Sequence, residues 1–158
     1  MRRIRRVIGM DFELVIPTLV QIETLYAQLT SRSYKISHKI LPSFAEHTRF
    51  VLHHPYREWV IVKDNGRAIG NVYIHFDNSI GLHFESPKYF DRVDEVLRFV
   101  NTSFLPLPAE PSVRIGEFFF RVSSDNRLLQ EKLSILGFRE VERTFVPQIE
   151  GQKTKELE

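Results

Sequence analysis

Two ionisable side chains lie inside apolar runs of this sequence, where charged groups are unusual. His83 interrupts the run 79–84, and Glu117 lies among the phenylalanines of the run 115–122. Histidine gains and loses its proton near neutral pH, and a carboxylate in apolar surroundings is either paired or has a raised pKa. Both groups are therefore suited to act as a general base, and His83 and Glu117 are the candidate catalytic residues.

Each candidate also has a structural interpretation. His83 could instead face solvent, and Glu117 could form a salt bridge with Arg114 or Arg139 at the surface of a sheet. Glu85, which follows the first run, is better explained as a charge at the start of a helix, where the helix dipole favours it. The residues alone leave both alternatives open.

The six histidines do not follow a metal-binding pattern. The adjacent pair at 53–54 cannot chelate from one helix face, and no His-Glu-x-x-His motif is present. With a hairpin turn at 77–78, His75 would lie opposite Ile80, which places His83 on the other face of the sheet. We therefore predict no metal site.

The stretch 114–138 has the clearest pattern of secondary structure. Its apolar run 115–122 has the length and the aromatic content of a strand. Ser124, Asp125 and Asn126 are all favoured N-cap residues, and Gly137 is a favoured residue just beyond the end of a helix. This stretch predicts a buried strand that leads into a capped helix.

The N-terminal third predicts a strand and two helices. A strand is expected within 1–12, and the apolar spacing over 15–31 predicts a helix with Pro17 in its first turn. The capping-box pattern at 43–46 begins a second helix that ends near residue 53. Its predicted inward-facing residues are Phe44, His47, Phe50 and Val51.

The middle of the chain predicts an antiparallel meander. Asn65-Gly66, between two apolar runs, is the strongest short-range signal of a hairpin, and a second turn at 77–78 leads to the strand 79–84. A long third helix should follow from Ser86-Pro87 onward.

The C-terminal part predicts a connector and a last strand. Three prolines within 105–111 cannot continue a helix, so this segment is expected to be an ordered connector or a lip over a site. A last strand is expected at 140–145.

The composition is typical of a single cytoplasmic domain. The 158 residues fit one domain, assigned to 1–150, followed by a polar tail at 151–158 that is expected to be disordered. There is no Cys, the net charge is +2, and no apolar stretch approaches the ~18 residues of a membrane span. The arginines within 2–6 fit a terminal strand, so neither a nucleic-acid nor a membrane partner is predicted.

The predicted element order, β-α-α-β-β-β-α-β-α-β, and two local matches resemble the GNAT superfamily of N-acetyltransferases. In that family a strand ends in Asn and a Gly-Phe pair closes the next helix, as at Asn126 and 137–138 here. An Ile-Gly pair often follows the hairpin, as at 69–70. The resemblance implies an α/β, GNAT-like fold whose mixed, mostly antiparallel sheet of about six strands is flanked by about four helices.

A finer resemblance is to members that acetylate amino-sugar nucleotides. They often carry Ser-Phe-x-x-His at a helix start and Asn-Ser-Ile-Gly at the fourth strand, as at 43–47 and 78–81 here. The family implies acetyl-CoA as cosubstrate and a small-molecule amine that attacks the thioester directly in a ternary complex. A homodimer is compatible with this resemblance.

The resemblance also implies roles for particular residues. His83 or Glu117 would supply the general base, because the family places it on the two strands that separate around the cofactor. The residues expected to contact the cofactor are Leu82, Phe84, Lys88, Arg92 and Asn126.

Two departures from the family pattern support a second hypothesis. The position of the tyrosine that many members use as general acid is occupied by Leu133. The loop that holds the cofactor pyrophosphate through small residues and free amides is replaced by bulky and acidic residues. These residues are Phe90, Asp91, Val93, Asp94 and Glu95. The alternative is a non-catalytic protein of the same fold that binds another ligand or a protein partner.

Overall fold

In the computed structural model, which describes residues 4–7, 9–32 and 40–148, six strands form one sheet in chain order. The strands are β1 (Ile4–Val7), β2 (Met10–Leu14), β3 (Glu58–Asp64), β4 (Arg67–Ile74), β5 (Ser79–Phe84) and β6 (Phe119–Phe120). The helices are α1 (Leu19–Thr30), α2 (Phe44–Leu52), α3 (Val93–Ser103) and α4 (Arg127–Ile135), with a 3₁₀ helix (Pro87–Arg92) before α3. Neighbouring strands are antiparallel except β5 and β6, which are parallel. The predicted α/β class, with a mixed, mostly antiparallel sheet, is confirmed.

The sheet separates two apolar cores. The larger core packs residues of the sheet against the 3₁₀ helix, α3 and α4, and the smaller core packs them against α1 and α2. Alternate residues of a strand point to opposite faces. Ile80 and Phe84 of β5 belong to the larger core, so Gly81 and His83 face the side of α1.

The hairpin between β3 and β4 is confirmed. Asn65 and Gly66 have φ values of 49° and 80°, and Asp64 pairs with Arg67 across the turn. Positive φ at both central residues is what a type I′ turn requires.

The hairpin between β4 and β5 differs from its predicted register by one residue. Ile74 pairs with Ile80, and the His75 N–H donates to the Ser79 carbonyl at 2.9 Å, so His75 lies opposite Ser79 rather than Ile80. The cause is a three-residue turn in which Asn78 takes a positive φ of 72°. His75 and His83 therefore lie on the same face of the sheet, contrary to the prediction.

The N-terminal strand is in fact a hairpin. Val7 of β1 pairs with Met10 of β2, and Gly9 adopts a φ of 83° between the two strands. The first helix begins only at Leu19, where the Thr18 hydroxyl accepts a hydrogen bond from the Gln21 N–H. Pro17 therefore precedes α1 instead of lying in its first turn.

The capping box at the start of α2 is confirmed. The Glu46 N–H donates to the Ser43 hydroxyl at 3.2 Å, and the Ser43 N–H donates to the Glu46 carboxylate at 2.8 Å. His47 and Val51 are buried as predicted, but Phe44 and Phe50 are 40% and 42% exposed. Phe44 makes an edge-type contact with the ring of Tyr26. Phe50 makes edge-type contacts with the rings of Tyr56 and Trp59.

The third helix starts where the Ser86-Pro87 pair predicts, but its first six residues form the 3₁₀ helix. The Ser86 side chain makes no capping hydrogen bond, whereas Pro87 occupies the first helical position as predicted.

One predicted strand is shorter than expected, and another is absent from the described residues. Only Phe119 and Phe120 of the run 115–122 are in a strand, and these residues are half-buried. Residues 139–148, which include the predicted strand 140–145, are irregular and exposed. The segment before β6 is instead fixed by Asn78, whose amide donates to the Ile115 carbonyl at 2.8 Å.

The proline-rich segment is an ordered connector. The Asn78 amide donates to the Leu107 carbonyl at 2.8 Å and accepts from the Leu107 N–H at 2.7 Å, and Arg57 donates to the Leu105 carbonyl at 2.9 Å. The predicted tail 151–158 lies outside the described residues. Within the described ranges, no helix has both the length and the apolar character needed to cross a bilayer.

Candidate active site

A cleft opens where β5 and β6 separate. The two strands pair at Ser79 with Phe119 and at Ile80 with Phe120, and the Arg121 N–H still reaches the Ile80 carbonyl at 3.3 Å. Beyond this point the two segments part around a cleft of about 340 Å³. Separating strands leave backbone donors and acceptors that a bound ligand can pair with.

The two sides of this cleft differ in chemistry. On the side of α1 it is lined by Arg32, Tyr73, His75, Gly81 and His83, which are mostly polar or aromatic. On the side of α3 and α4 it is lined mainly by apolar residues, namely Leu82, Phe84, Phe90 and Leu129. A ligand that crosses the sheet would therefore meet an apolar surface at one end and a polar surface at the other.

His83 lies in the wall of the cleft and is 8% exposed, so the alternative that it faces solvent is wrong. Its Nε2 atom is buried and has no hydrogen-bond partner among the described residues. Burial, and secondarily the charge of Arg32, lowers the pKa of His83 to about 4, which keeps the imidazole neutral at pH 7. A neutral imidazole can accept a proton, and a buried nitrogen without a partner favours a ligand that pairs with it.

A network of buried amide hydrogen bonds lies next to His83. The Trp59 indole N–H donates to the Asn71 amide oxygen at 3.1 Å, and the Asn71 amide donates to Gln28 at 2.7 Å. Gln28 donates in turn to the Gly70 carbonyl at 3.2 Å, and Asn71 is the strand partner of His83. This network was not predicted from the sequence, although Gln28 lies three residues after Leu25 on the apolar stripe of α1.

Tyr73 lines the cleft and was not predicted from the sequence. A Cβ atom added to Gly81 would lie 2.0 Å from the Tyr73 Cζ and 2.4 Å from its hydroxyl oxygen. The outer end of the ring therefore rests directly on the Gly81 backbone. The signal in the sequence was the glycine within a strand, which often marks the close approach of another group.

The Arg32 side chain lines the cleft on the side of α1. The described residues include no hydrogen-bond or ion-pair partner for its guanidinium, whereas Arg121 at the same cleft pairs with Asp77 at 2.9 Å. An unpaired guanidinium beside a cleft favours a ligand with a carboxylate or phosphate group.

Three of the five predicted cofactor contacts line the cleft, namely Leu82, Phe84 and Asn126. The Asn126 side chain also caps α4, because its oxygen accepts from the Leu129 N–H at 3.2 Å. Lys88 and Arg92 do not line it. The Lys88 ammonium lies 4.8 Å from the centre of the Tyr89 ring, and Arg92 pairs with Glu95 at 2.6 Å.

The positions aligned with the pyrophosphate loop do not form a loop of small residues. Phe90 and Val93 are buried in the larger core. The acidic side chains are each paired with a base: Asp91 with Lys132, Asp94 with Arg98, and Glu95 with Arg92. These ion pairs reduce the repulsion expected between the carboxylates and a diphosphate.

Glu117 is exposed and does not line the cleft, so its predicted burial in a strand is wrong. Its neighbour Arg114 pairs with Glu110 at 3.6 Å. Glu85 lines the cleft, and Arg67 neutralises it at 2.6 Å. His83 is therefore the predicted base that the fold brings to the cleft.

The described part of the chain holds no group of three or more His, Cys, Asp or Glu side chains placed to bind a metal ion.

No family model matches this sequence, and no curated protein sequence matches it. Solved structures do match. A domain from Methanocaldococcus jannaschii DSM 2661 is 16% identical with a TM-score of 0.61, and covers 90% of this chain and 93% of its own length.

Two further structures give TM-scores of 0.54 over 89% of this chain and 97% of their own chains. One is AAC(6')-Iy in complex with the bisubstrate analogue CoA-S-monomethyl-acetylneamine, at 16% identity. The other is a possible acetyltransferase from Clostridium difficile 630, at 8% identity. Together with the sheet order and the separating parallel pair, these matches show that the chain has the GNAT-like acetyltransferase fold.

Proposed function

We propose that this protein transfers an acetyl group from acetyl-CoA to the amine of a small molecule, by direct attack in a ternary complex. The observation that carries this proposal is the cleft between β5 and β6, with the neutral His83 in its wall, whose Nε2 atom has no hydrogen-bond partner among the described residues. Acetyl-CoA would enter along the apolar side of the cleft and place its thioester where β5 and β6 separate. The amine would approach from the side of α1, where His83 can take its proton as the amide forms. A coenzyme A donor also agrees with the cytoplasmic location predicted from composition.

A weakly basic His83 is compatible with this role. The attacking nitrogen becomes far more acidic once it is bonded to the carbonyl carbon, so a base with a low pKa can remove the proton at that stage. The buried amide network of Gln28 and Asn71 restricts movement beside the imidazole, which favours a fixed geometry for proton transfer.

The alternative is a non-catalytic protein of the same fold. It is favoured by the pyrophosphate region, where Phe90 and Val93 are core residues and the Tyr89 N–H is already bonded to the Ser86 carbonyl at 3.1 Å. A bound diphosphate would therefore need hydrogen-bond donors from another part of the chain. The two hypotheses therefore differ most directly in whether acetyl-CoA binds at all.

Calorimetry with acetyl-CoA tests this difference, and neighbouring serines supply a matched pair of variants. We expect the wild-type protein to bind with a dissociation constant of about 1 mM or tighter. Ser123 lines the cleft and Ser124 does not. Ser123→Trp should therefore abolish binding by filling the cleft, whereas Ser124→Trp should retain it. Absence of binding to the folded wild-type protein would contradict the enzyme proposal and support the alternative.

For the acceptor, we propose an amine that carries an anionic group, such as an amino-sugar nucleotide. The support is the guanidinium of Arg32, which has no ion-pair partner in the described part of the chain and lies on the side of the cleft where the amine would approach. The residue pattern at 78–81, part of which lines the cleft, agrees with this class. A structural neighbour that holds a CoA–acetylneamine analogue is consistent with a carbohydrate amine.

Arg32→Gln tests the acceptor class. With UDP-glucosamine as the probe, we expect the KM to rise about tenfold, because a charge-assisted hydrogen bond to phosphate is lost. Glucosamine, which lacks the diphosphate, should show little change in kcat/KM. An equal loss for both acceptors would contradict recognition of an anionic group by Arg32, and so would a loss for neither. Rates can be followed by release of the coenzyme A thiol.

A further inference from the structure

The acetyl transfer proposed above, on which this inference rests, also needs a proton donor for the departing thiolate. Leu133, at the position where many family members place a tyrosine, is 7% exposed and belongs to the larger core. It can neither donate a proton nor reach the cleft. The cleft is lined, however, by Tyr73 from β4.

The position of Tyr73 is fixed by Gly81 on one side and by aromatic rings on the other. The outer end of the Tyr73 ring lies over the Gly81 Cα, so the ring extends from β4 over β5. Tyr56 stacks on the ring with centroids 4.5 Å apart and an interplanar angle of 18°. The His75 ring lies nearly perpendicular to the Tyr73 ring, with centroids 5.4 Å apart and an interplanar angle of 87°. This packing leaves the ring little freedom to turn away.

The hydroxyl of Tyr73 lies at the point where the two strands separate. Gly81 directly follows Ile80, the last residue of β5 that pairs with β6. The hydroxyl makes no hydrogen bond with any described residue. His83 lies two residues beyond Gly81 on β5 and on the same face, about 7 Å from Gly81 along the strand. A thioester between the two positions would have a proton acceptor on one side and a proton donor on the other.

We propose that Tyr73 is the general acid of this site and donates its phenolic proton to the sulfur of the departing coenzyme A. The amine nitrogen forms a bond to the carbonyl carbon, and the carbon–sulfur bond breaks with its electron pair moving to sulfur. Sulfur takes the proton from Tyr73, and His83 takes the proton released by the nitrogen. Solvent then returns a proton to the phenolate and removes one from the imidazolium. The net products are an amide and a thiol.

Other charged or titratable groups also face this position. They are Arg32, Tyr56, His75, His83, Glu85 paired with Arg67, and Arg121 paired with Asp77. Tyr73→Phe leaves all of them in place and keeps the ring on Gly81, so it isolates the hydroxyl. Tyr56→Phe is the matched control, because the hydroxyl of Tyr56 does not line the cleft.

The first test measures the pKa of the thiol of bound coenzyme A from its ultraviolet thiolate absorbance. A hydrogen bond from Tyr73 would stabilise the thiolate, so Tyr73→Phe should raise this pKa by about one unit. Tyr56→Phe should leave it unchanged. This measurement needs no acceptor, and a thiol pKa that is the same in Tyr73→Phe and wild type would overturn the proposal.

The second test compares acyl donors. With acetyl-CoA and UDP-glucosamine, Tyr73→Phe should lower kcat about tenfold or more, because the thiolate leaves without a proton. With 4-nitrophenyl acetate, whose leaving group needs no proton, the rate should change less than about twofold. Gly81→Ala, which displaces the ring, should resemble Tyr73→Phe, and the double variant should be no slower than either.

The outcomes separate this inference from the proposed function. Acetyl transfer by the wild-type protein with equal losses for both donors in Tyr73→Phe would overturn the acid role and leave the function intact. Failure of the wild-type protein to bind coenzyme A would overturn both. A donor-dependent loss together with a raised thiol pKa would support both.

Discussion

Replacing His83 by Gln is expected to lower acetyl transfer to UDP-glucosamine by about 100-fold or more. Glutamine keeps a polar group in the wall of the cleft but cannot accept a proton. The affinity for acetyl-CoA should change little, because in the proposed arrangement most of the cofactor lies along the apolar side of the cleft and His83 contacts the amine. The loss should therefore appear in kcat, measured at saturating acetyl-CoA by release of the thiol.

Glu117→Gln is the matched comparison for this prediction. The Glu117 carboxylate is exposed and lies outside the cleft, so we expect a rate close to that of the wild-type protein. The opposite pattern, with a normal rate in His83→Gln and a large loss in Glu117→Gln, would assign the base to Glu117. Normal rates in both variants would reject both assignments.

Protonation of His83 should also destabilise the folded protein at low pH. Folding lowers its pKa from the ordinary value of 6.5 to about 4, because the buried imidazole resists protonation. The unfolded chain therefore binds a proton at a higher pH than the folded chain. Stability is fully present above pH 6.5 and falls as the pH drops from 6.5 toward 4. The shift corresponds to a loss of about 3 kcal/mol over this range.

Urea titrations at pH about 7 and about 4.5 measure this loss as a change in the free energy of unfolding. Burial also lowers the pKa values of His47, His54 and His75, so part of the loss belongs to these residues. The informative quantity is the difference between proteins. His83→Gln should lose about 2 kcal/mol less than the wild-type protein on acidification. Equal losses in the two proteins would show that the imidazole is not held neutral by the fold.

Local signals in the sequence were sufficient for several elements. Asn65-Gly66 adopts the two positive φ values of its turn, Ser43 and Glu46 form the capping box, and Asn126 caps α4. Each of these depends on the conformational preference or hydrogen bonding of residues at most three positions apart. Such local interactions depend less on distant parts of the chain than packing does. The resemblance in element order was likewise enough to predict the fold.

Features that depend on distant parts of the chain were not predictable in the same way. The run 115–122 is typical of a buried strand. In the structure, the Asn78 amide donates to the Ile115 carbonyl, and only two residues of the run pair with β5. The same asparagine, at a positive φ, shifts the β4–β5 register by one residue. A shift of one residue exchanges the two faces of a strand. This is why His75 lies on the side of His83, against the prediction.

The sequence by itself determined the fold class, the position of most elements and the candidacy of His83. The tertiary structure decided that His83 is buried and neutral, that Glu117 is exposed, and that Tyr73 reaches across Gly81 into the cleft. The pKa and accessibility of a side chain depend on groups from other elements, such as Arg32 after α1 and the amides of Gln28 and Asn71. Those groups are far apart in the chain and meet only when the sheet and the helices have packed together.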